Sequence, residues 1–164
     1  KFKNISLLEI GVQNGYSMNL WRNFFTPTLY AITGIDINIT NEAKQINDEI
    51  VVHSDYKKSF GNFKLIQADA YSEELAGEFF NNCFDYIIDD GPHTLESQLK
   101  CIDLYYMKLS YRGGKLIIED IQSDSDLKAI EDKLNAEGKT YKVYDLRDIK
   151  GRYDDILIEI TRKP

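Results

Sequence analysis

The sequence predicts an α/β protein built on a mostly parallel sheet. Short segments rich in Ile, Leu, Tyr and Val alternate with amphipathic segments, which is the pattern of repeated β-α-β units. The length of 164 residues is close to that of one domain. Hydrophobic residues make up 43% of the chain and charged residues 29%, a balance typical of proteins that bury a core. We therefore predict a single domain over residues 1–164.

Seven short strands are predicted, and amphipathic helices separate most of them. The strands are Ile5–Ile10, Leu29–Ile35, Phe63–Gln67, Phe84–Asp89, Lys115–Glu119, Tyr141–Leu146 and Ile156–Thr161. The clearest helices are Thr94–Lys108 and Ser123–Glu137, in which apolar residues recur every three or four positions. The segment Arg147–Asp155 is shorter than the roughly twelve residues that a parallel return needs. The last two strands are therefore predicted to be antiparallel.

Charge and cysteine content disfavour several kinds of partner. The 20 basic and 27 acidic residues give a net charge of −7, which disfavours nucleic acid as the main partner. The chain has no apolar run of about 18 residues and no secretory signal near its start, so we predict a cytoplasmic protein without a membrane partner. Cys83 and Cys101 lack CxxC spacing, which predicts reduced thiols. The sequence is compatible with a homo-oligomer.

A glycine-containing turn follows the first strand in the segment LEIGVQNGYS. Gly11 and Gly15 would let the backbone approach a ligand closely, and the N–H groups of the next helix could receive a carboxylate or phosphate. About 20 residues later, Asp36 ends the second strand, where it could accept both hydroxyls of a ribose. Asp69 follows the third strand and could meet an adenine. Together these strand ends predict a site for a nucleotide-type cofactor.

Two alternatives to that site remain. Glycine and aspartate at strand ends also occur as ordinary turn formers. The glycines would also suit an NAD-type dehydrogenase, although the turn reads GVQNG and lacks the GxGxxG spacing of that fold.

Acidic residues end two further strands, in the segments IIDDGPH and IIED. If these strands are parallel neighbours, Asp89, Asp90, Glu119 and Asp120 meet at one edge of the sheet. Like charges about 4 Å apart cost on the order of 1 kcal/mol per pair even in water, and a divalent cation removes that cost. Oxygen ligands favour Mg²⁺, Mn²⁺ or Ca²⁺ over Zn²⁺. The alternative is that Asp90 and Asp120 only cap the helices that follow them.

Three further sets of residues have predicted roles, two at the same edge of the sheet and one in the core. His93 lies three residues after Asp90 in a Gly-Pro turn, and a histidine imidazole can take up a proton near neutral pH. An exposed loop histidine without a function is the other interpretation. Asp154 and Asp155 precede the last strand and could reach the same edge. Aromatic residues of the first helix are expected in the core, namely Trp21, Phe24 and Phe25.

Taken together, these motifs resemble a class I S-adenosylmethionine-dependent methyltransferase over nearly the whole chain. The resemblance rests on the E-x-G-x-x-x-G turn, the aspartates that end the second and third strands, FDYIIDD and GGKLIIED. The segments LEIGVQNGYSMNLWRNFF, DDGPHT and IIED also resemble metal-dependent sugar O-methyltransferases of macrolide biosynthesis and their cephalosporin-hydroxylase-like relatives. The implied fold is a Rossmann-like, seven-stranded, mostly parallel sheet with helices on both faces and one antiparallel strand.

The resemblance also implies roles for individual residues. Glu9 would orient the turn and reach toward the methionine end of S-adenosylmethionine, whose carboxylate Ser17 and the turn amides would hold. Gln13 stands where the family often has glycine, a departure that bears on the path of the local backbone. The implied cofactor-binding residues are Glu9, Gly11, Gln13, Gly15, Ser17, Asp36, Asp69 and Asp89. The implied ligands of Mg²⁺ or another hard divalent cation are Asp90, Glu119 and Asp120, with Asp89 joining them or orienting the loop.

The sequence thus predicts a metal-dependent O-methyltransferase that acts on a hydroxyl of a sugar or other small molecule, with His93 as the general base. A cephalosporin-hydroxylase-like protein and a non-catalytic cofactor-binding relative are the alternatives, because one fold can serve several functions.

Overall fold

The computed structural model describes residues 4–26, 28–52 and 63–163. Seven strands form one sheet in the order β3-β2-β1-β4-β5-β7-β6. The strands are β1 (Ile5–Ile10), β2 (Leu29–Asp36), β3 (Phe63–Gln67), β4 (Tyr86–Asp89), β5 (Lys115–Ile118), β6 (Thr140–Asp145) and β7 (Ile156–Thr161). The helices are α1 (Tyr16–Phe25), α2 (Asn41–Val52), α3 (Glu73–Gly77), α4 (Leu95–Tyr105), α5 (Asp124–Ala136) and α6 (Arg147–Lys150).

The sheet confirms the predicted topology. Strands β1 to β5 pair in parallel, and β7 runs antiparallel to both β5 and β6. The fourth strand begins at Tyr86, two residues later than predicted, because Phe84 makes only an isolated bridge to Leu109. The fifth ends at Ile118, so that Glu119 lies in the loop beyond the strand.

Helices cover both faces of the sheet, as predicted. Alternate residues of a strand point to opposite faces, so Leu7 packs with Met18 of α1 and Ala43 of α2, while its neighbour Leu8 packs on the other side. That second core includes residues of α4 and α5, among them Ile102 and Ile130. Among the described residues, no helix has the length and apolar character that a membrane span requires.

The aromatic residues of α1 are only partly in the core. Trp21 and Phe25 pack against the buried cluster, but Phe24 is 70% exposed, so the prediction for Phe24 was wrong. One helical position turns a side chain by about 100°, which takes Phe24 off the face that Phe25 buries. Cys83 and Cys101 are free thiols.

The strand register brings four loops to one edge of the sheet. Ile10 is paired with Ile35 of β2 and with Asp89 of β4, and Asp89 is paired with Ile118 of β5. The residues that follow these positions therefore emerge side by side. They are Gly11, Asp36, Asp90 and Glu119.

Candidate active site

The turn between β1 and α1 depends on close contact with the end of β4. Gly11 has a φ of 87°, and a Cβ there would overlap the carbonyl oxygen of Asp90 and lie 2.6 Å from its carbonyl carbon. Gly15 has a φ of 80°, and a Cβ there would lie 3.1 Å from the Cα of Ala43 in α2. Both positions therefore need glycine, for backbone conformation and for space.

Gln13 adopts a left-handed backbone conformation in this turn although it is not a glycine. Its φ of 46° lies in the left-handed region, which costs a residue with a Cβ about 1–2 kcal/mol. Asp36 compensates, because its Oδ2 accepts hydrogen bonds from the N–H groups of Val12 and Gln13, both at 2.9 Å. Its Oδ1 accepts from the N–H of Asn38. Asp36 thus holds the turn, a role that sequence reasoning missed, and its contact with ribose stays a prediction.

Glu9 is buried beneath the turn, with 1% of its surface exposed. Trp21 donates to its Oε1 at 3.2 Å, and the Ser17 side chain also hydrogen-bonds the carboxylate. Its Oε2 has no hydrogen-bond partner among the described residues. Burial, reinforced by the charges of Asp90 and Glu119, raises the pKa of Glu9 to about 7 despite the two hydrogen bonds. This unsatisfied oxygen could accept a bond from a ligand ammonium group.

Asp89 is buried and anchors the loop after β3. The Tyr71 hydroxyl donates to its Oδ1 at 2.5 Å, while the Tyr71 N–H donates to Asp69 at 2.9 Å. A Cβ at Gly91 would overlap the Tyr71 hydroxyl, so glycine makes this approach possible. Burial raises the pKa of Asp89, and the hydrogen bonds from Tyr71 and Cys101 oppose that rise. Asp89 therefore orients the loop that carries Asp69.

A second tyrosine fixes the same loop. Tyr105 of α4 is fully buried, and its hydroxyl donates to the carbonyl oxygen of Ala70 at 2.7 Å. Sequence reasoning did not single out Tyr71. For Tyr71, its place two residues after Asp69 was the available signal.

The structure brings together one residue of each acidic pair, with a histidine among them, whereas all four acidic residues were expected to meet. Within the described ranges, Asp90, His93 and Asp120 each offer a ligand atom, and these atoms lie within 4.8 Å of one another. The Nε2 of His93 is 3.7 Å from the Oδ1 of Asp90. Glu119 is outside this group, although burial and the charges of Asp90 and Asp120 raise its pKa to about 7. We call Asp90, His93 and Asp120 the edge cluster.

Helix capping does not explain the edge cluster. The side chain of Thr94 caps α4 by accepting from the N–H of Ser97, and Ser123 caps α5 by accepting from Asp126. The alternative in which Asp90 and Asp120 are the caps was therefore wrong. His93 and Asp120 adopt φ values of 55° and 50°, a strained conformation for residues with a Cβ. Such strain concentrates at functional sites.

The segment between α6 and β7 brings positive charge to the edge cluster. The Nη2 of Arg152 lies 3.1 Å from the Oδ2 of Asp120, and Arg152 is also paired with Asp154. Asp155 is buried, where it accepts from the Arg152 N–H and pairs with Lys150 at 3.2 Å. The segment that carries Asp154 and Asp155 thus reaches the edge cluster through Arg152, and the two aspartates themselves pair with cations. Sequence reasoning missed both cations.

Residues 8–121 match a family model described as a methyltransferase domain. The chain belongs to this methyltransferase family. The match runs from β1 to the residue after Asp120, and so includes both the glycine turn and the edge cluster. A comparison with curated protein sequences found no significant match.

Solved structures share the fold of this methyltransferase domain at low sequence identity. A Staphylococcus aureus protein assigned as a caffeoyl-CoA O-methyltransferase has a TM-score of 0.66 and 19% identity, with 96% of this chain and 76% of that one covered. MycE methyltransferase from the mycinamycin biosynthetic pathway, in complex with Mg and SAH, has a TM-score of 0.64 and 20% identity. That match covers 98% of this chain but only 46% of MycE.

Aeropyrum pernix fibrillarin with natively bound S-adenosyl-L-methionine gives a TM-score of 0.65 at 16% identity, covering 96% of this chain and 66% of fibrillarin. The predicted class I methyltransferase fold is therefore confirmed.

Proposed function

We propose that this protein transfers the methyl group of S-adenosylmethionine to a hydroxyl oxygen of a small molecule, with the help of a hard divalent cation. One observation carries the proposal: Asp90, the first residue of the edge cluster, has its backbone carbonyl packed against Gly11. A cofactor on the glycine turn would therefore lie beside the acidic and histidine side chains. The geometry favours a reaction between two bound groups at this edge.

The cofactor assignment is supported by the donors and acceptors around the turn. The unsatisfied Oε2 of Glu9 suits the ammonium group of the methionine moiety, and the N-terminal amides of α1 suit its carboxylate. Asp36 lies at the end of β2, where ribose hydroxyls would reach it, and Asp69 lies on the anchored loop where adenine is expected. Gln13 belongs to the same turn, and its N–H donates to Asp36.

The edge cluster fits a hard divalent cation. Asp90 and Asp120 offer carboxylate oxygens, which Mg²⁺ and Mn²⁺ prefer, and Glu119 lies close enough to feel both charges. We assign Asp90, Glu119 and Asp120 as the ligands. A bound cation would lower the pKa of an acceptor hydroxyl and hold it in place. The MycE structure with Mg and SAH shows that a protein of this fold can hold both.

His93 is assigned as the general base. Its imidazole stands at the edge cluster, with Nε2 3.7 Å from the Oδ1 of Asp90. During transfer, the oxygen–carbon bond forms as the sulfur–carbon bond breaks. The bonding pair stays on sulfur, and the hydroxyl proton goes to His93. The sulfonium already activates the methyl group, so positioning and proton removal are the tasks left to the protein.

The acceptor is proposed to be a sugar or another small hydroxyl compound. The net charge of −7 argues against a polyanionic acceptor such as nucleic acid. A non-catalytic cofactor-binding protein or a cephalosporin-hydroxylase-like protein would need only part of this site. The edge cluster favours catalysis over binding alone, because holding a cofactor requires neither the acidic residues nor the histidine.

Calorimetric titration tests the proposal. S-adenosylmethionine and its demethylated product should bind, and NAD should not, whether or not Mg²⁺ is present. Transfer of a labelled methyl group to a panel of sugars and catechols should then require Mg²⁺ or Mn²⁺. Preferential binding of NAD would overturn the cofactor assignment. Full transfer activity in excess EDTA would overturn the proposed role of the divalent cation.

A further inference from the structure

Arg152 holds a position that the methyl transfer outlined above does not use. Its guanidinium is fixed on one side by Asp154, through Nε to Oδ1 and Nη2 to Oδ2, both at 3.1 Å. Asp154 is itself only 6% exposed, so it forms a firm attachment. The same Nη2 also donates to the Oδ2 of Asp120 at 3.1 Å. Arg152 thus joins the segment before β7 to the edge cluster.

Asp120 therefore faces two positive charges. One is the guanidinium, and the other is the divalent cation that the edge cluster is proposed to bind. A guanidinium at hydrogen-bond distance occupies one carboxylate oxygen and repels a second cation nearby.

We propose that Arg152 is the chain's own counter-ion for Asp120, and that it competes with the divalent cation for this carboxylate. The inference rests on the proposed cation site. Arg152 balances the edge cluster when the cation is absent, and the Arg152–Asp120 contact weakens when the cation arrives. The affinity of the site is then set partly by a residue about 30 positions later in the chain.

Lys150, the last residue of α6, provides a control two residues earlier in the chain. Its side chain is 58% exposed and that of Arg152 is 60% exposed, so water screens the two charges similarly. The Lys150 ammonium is paired with Asp155 rather than with Asp120. Removing either side chain changes the net charge equally, but only removal of Arg152 frees a carboxylate of the edge cluster.

The test is Mn²⁺ binding at neutral pH, measured from the electron paramagnetic resonance signal of free Mn²⁺ without cofactor or acceptor. Arg152→Gln should tighten Mn²⁺ binding by roughly fivefold to tenfold, the effect expected of one partly screened charge on a divalent ion. Lys150→Gln should tighten binding less than Arg152→Gln does, because the Lys150 charge acts on Glu119 and makes no contact with Asp120. Arg152→Lys keeps the charge but loses the two-point attachment, so its affinity should fall between those of the parent and Arg152→Gln.

Each contrary result has a distinct meaning. Equal tightening in Arg152→Gln and Lys150→Gln would show a general charge effect and overturn the competition. Weaker binding in Arg152→Gln would show that Arg152 positions Asp120 for the cation instead. Mn²⁺ binding to the parent in either case would leave the proposed cation site intact. Failure of every protein to bind Mn²⁺, with circular dichroism confirming the fold, would overturn the cation site and the competition together.

Discussion

Replacing Gly11 with alanine should damage the fold and the cofactor site together. The residue combines a φ of +87° with a place where a Cβ would overlap the backbone carbonyl of Asp90. The obstacle is backbone rather than the flexible end of a side chain, so it can be relieved only by moving β1 and β4 apart. These strand ends carry the glycine turn and the edge cluster.

Gly113 separates the two effects. Its φ of +92° is nearly the same, but nothing lies within 4 Å of the Cβ that alanine would add. Gly113→Ala should therefore cost only the left-handed backbone, about 1–2 kcal/mol. Gly11→Ala should add about 1–3 kcal/mol for the overlap, which gives a total of about 2–5 kcal/mol.

Urea unfolding and SAH calorimetry would measure both consequences. Gly11→Ala should lose SAH binding or weaken it about 100-fold, the cost of displacing a binding group by about 1 Å. Gly113→Ala should bind SAH as the parent does. If the two variants were equally stable and bound SAH equally well, the contact between the glycine turn and β4 would not support the site as argued.

Four further predictions follow from individual contacts. Asp36→Ala should weaken SAH binding at least about 100-fold in calorimetry, because the ribose acceptor and the acceptor for the turn amides are both lost; unchanged affinity would refute the ribose assignment. His93→Ala should lower turnover by about 10²- to 10⁴-fold and leave the SAH affinity within about twofold; a loss of only a few-fold would make His93 a bystander. Because burial raises the pKa of Glu9 to about 7 from an ordinary value of 4.5, its contribution to stability is full below pH 4.5 and is lost as the pH rises through 7. Between pH 5 and 8, urea unfolding should thus show the parent losing about 2.5 kcal/mol more than Glu9→Gln, and parallel profiles would contradict this. Tyr71→Phe should cost about 1–3 kcal/mol by removing the hydroxyl donor from the Oδ1 of the buried Asp89, whereas Tyr141→Phe, at an exposed hydrogen bond, should cost almost nothing; equal melting temperatures for these two variants would contradict the anchoring role of Asp89.

Local pattern was enough to place the strands and the glycine turn. Ile5–Ile10, Phe63–Gln67 and Ile156–Thr161 begin and end where the sequence predicts, because runs of apolar and β-branched residues bounded by turn formers specify short strands. The antiparallel β7 followed from the length of one connection. The expectation that acidic residues gather at one edge followed from the parallel order of the strands that precede them.

Only the tertiary structure decided which side chains meet there. Asp89 and Asp90 are neighbours in sequence but have different partners: Asp89 accepts a hydrogen bond from Tyr71, and Asp90 lies in the edge cluster with His93 and Asp120. Likewise, Arg152 reaches Asp120 because β7 returns beside β5. The sequence by itself determined the elements, since these depend on residues a few positions apart. The pairing of side chains depends on strand register and on packing between distant segments, and no local periodicity encodes that.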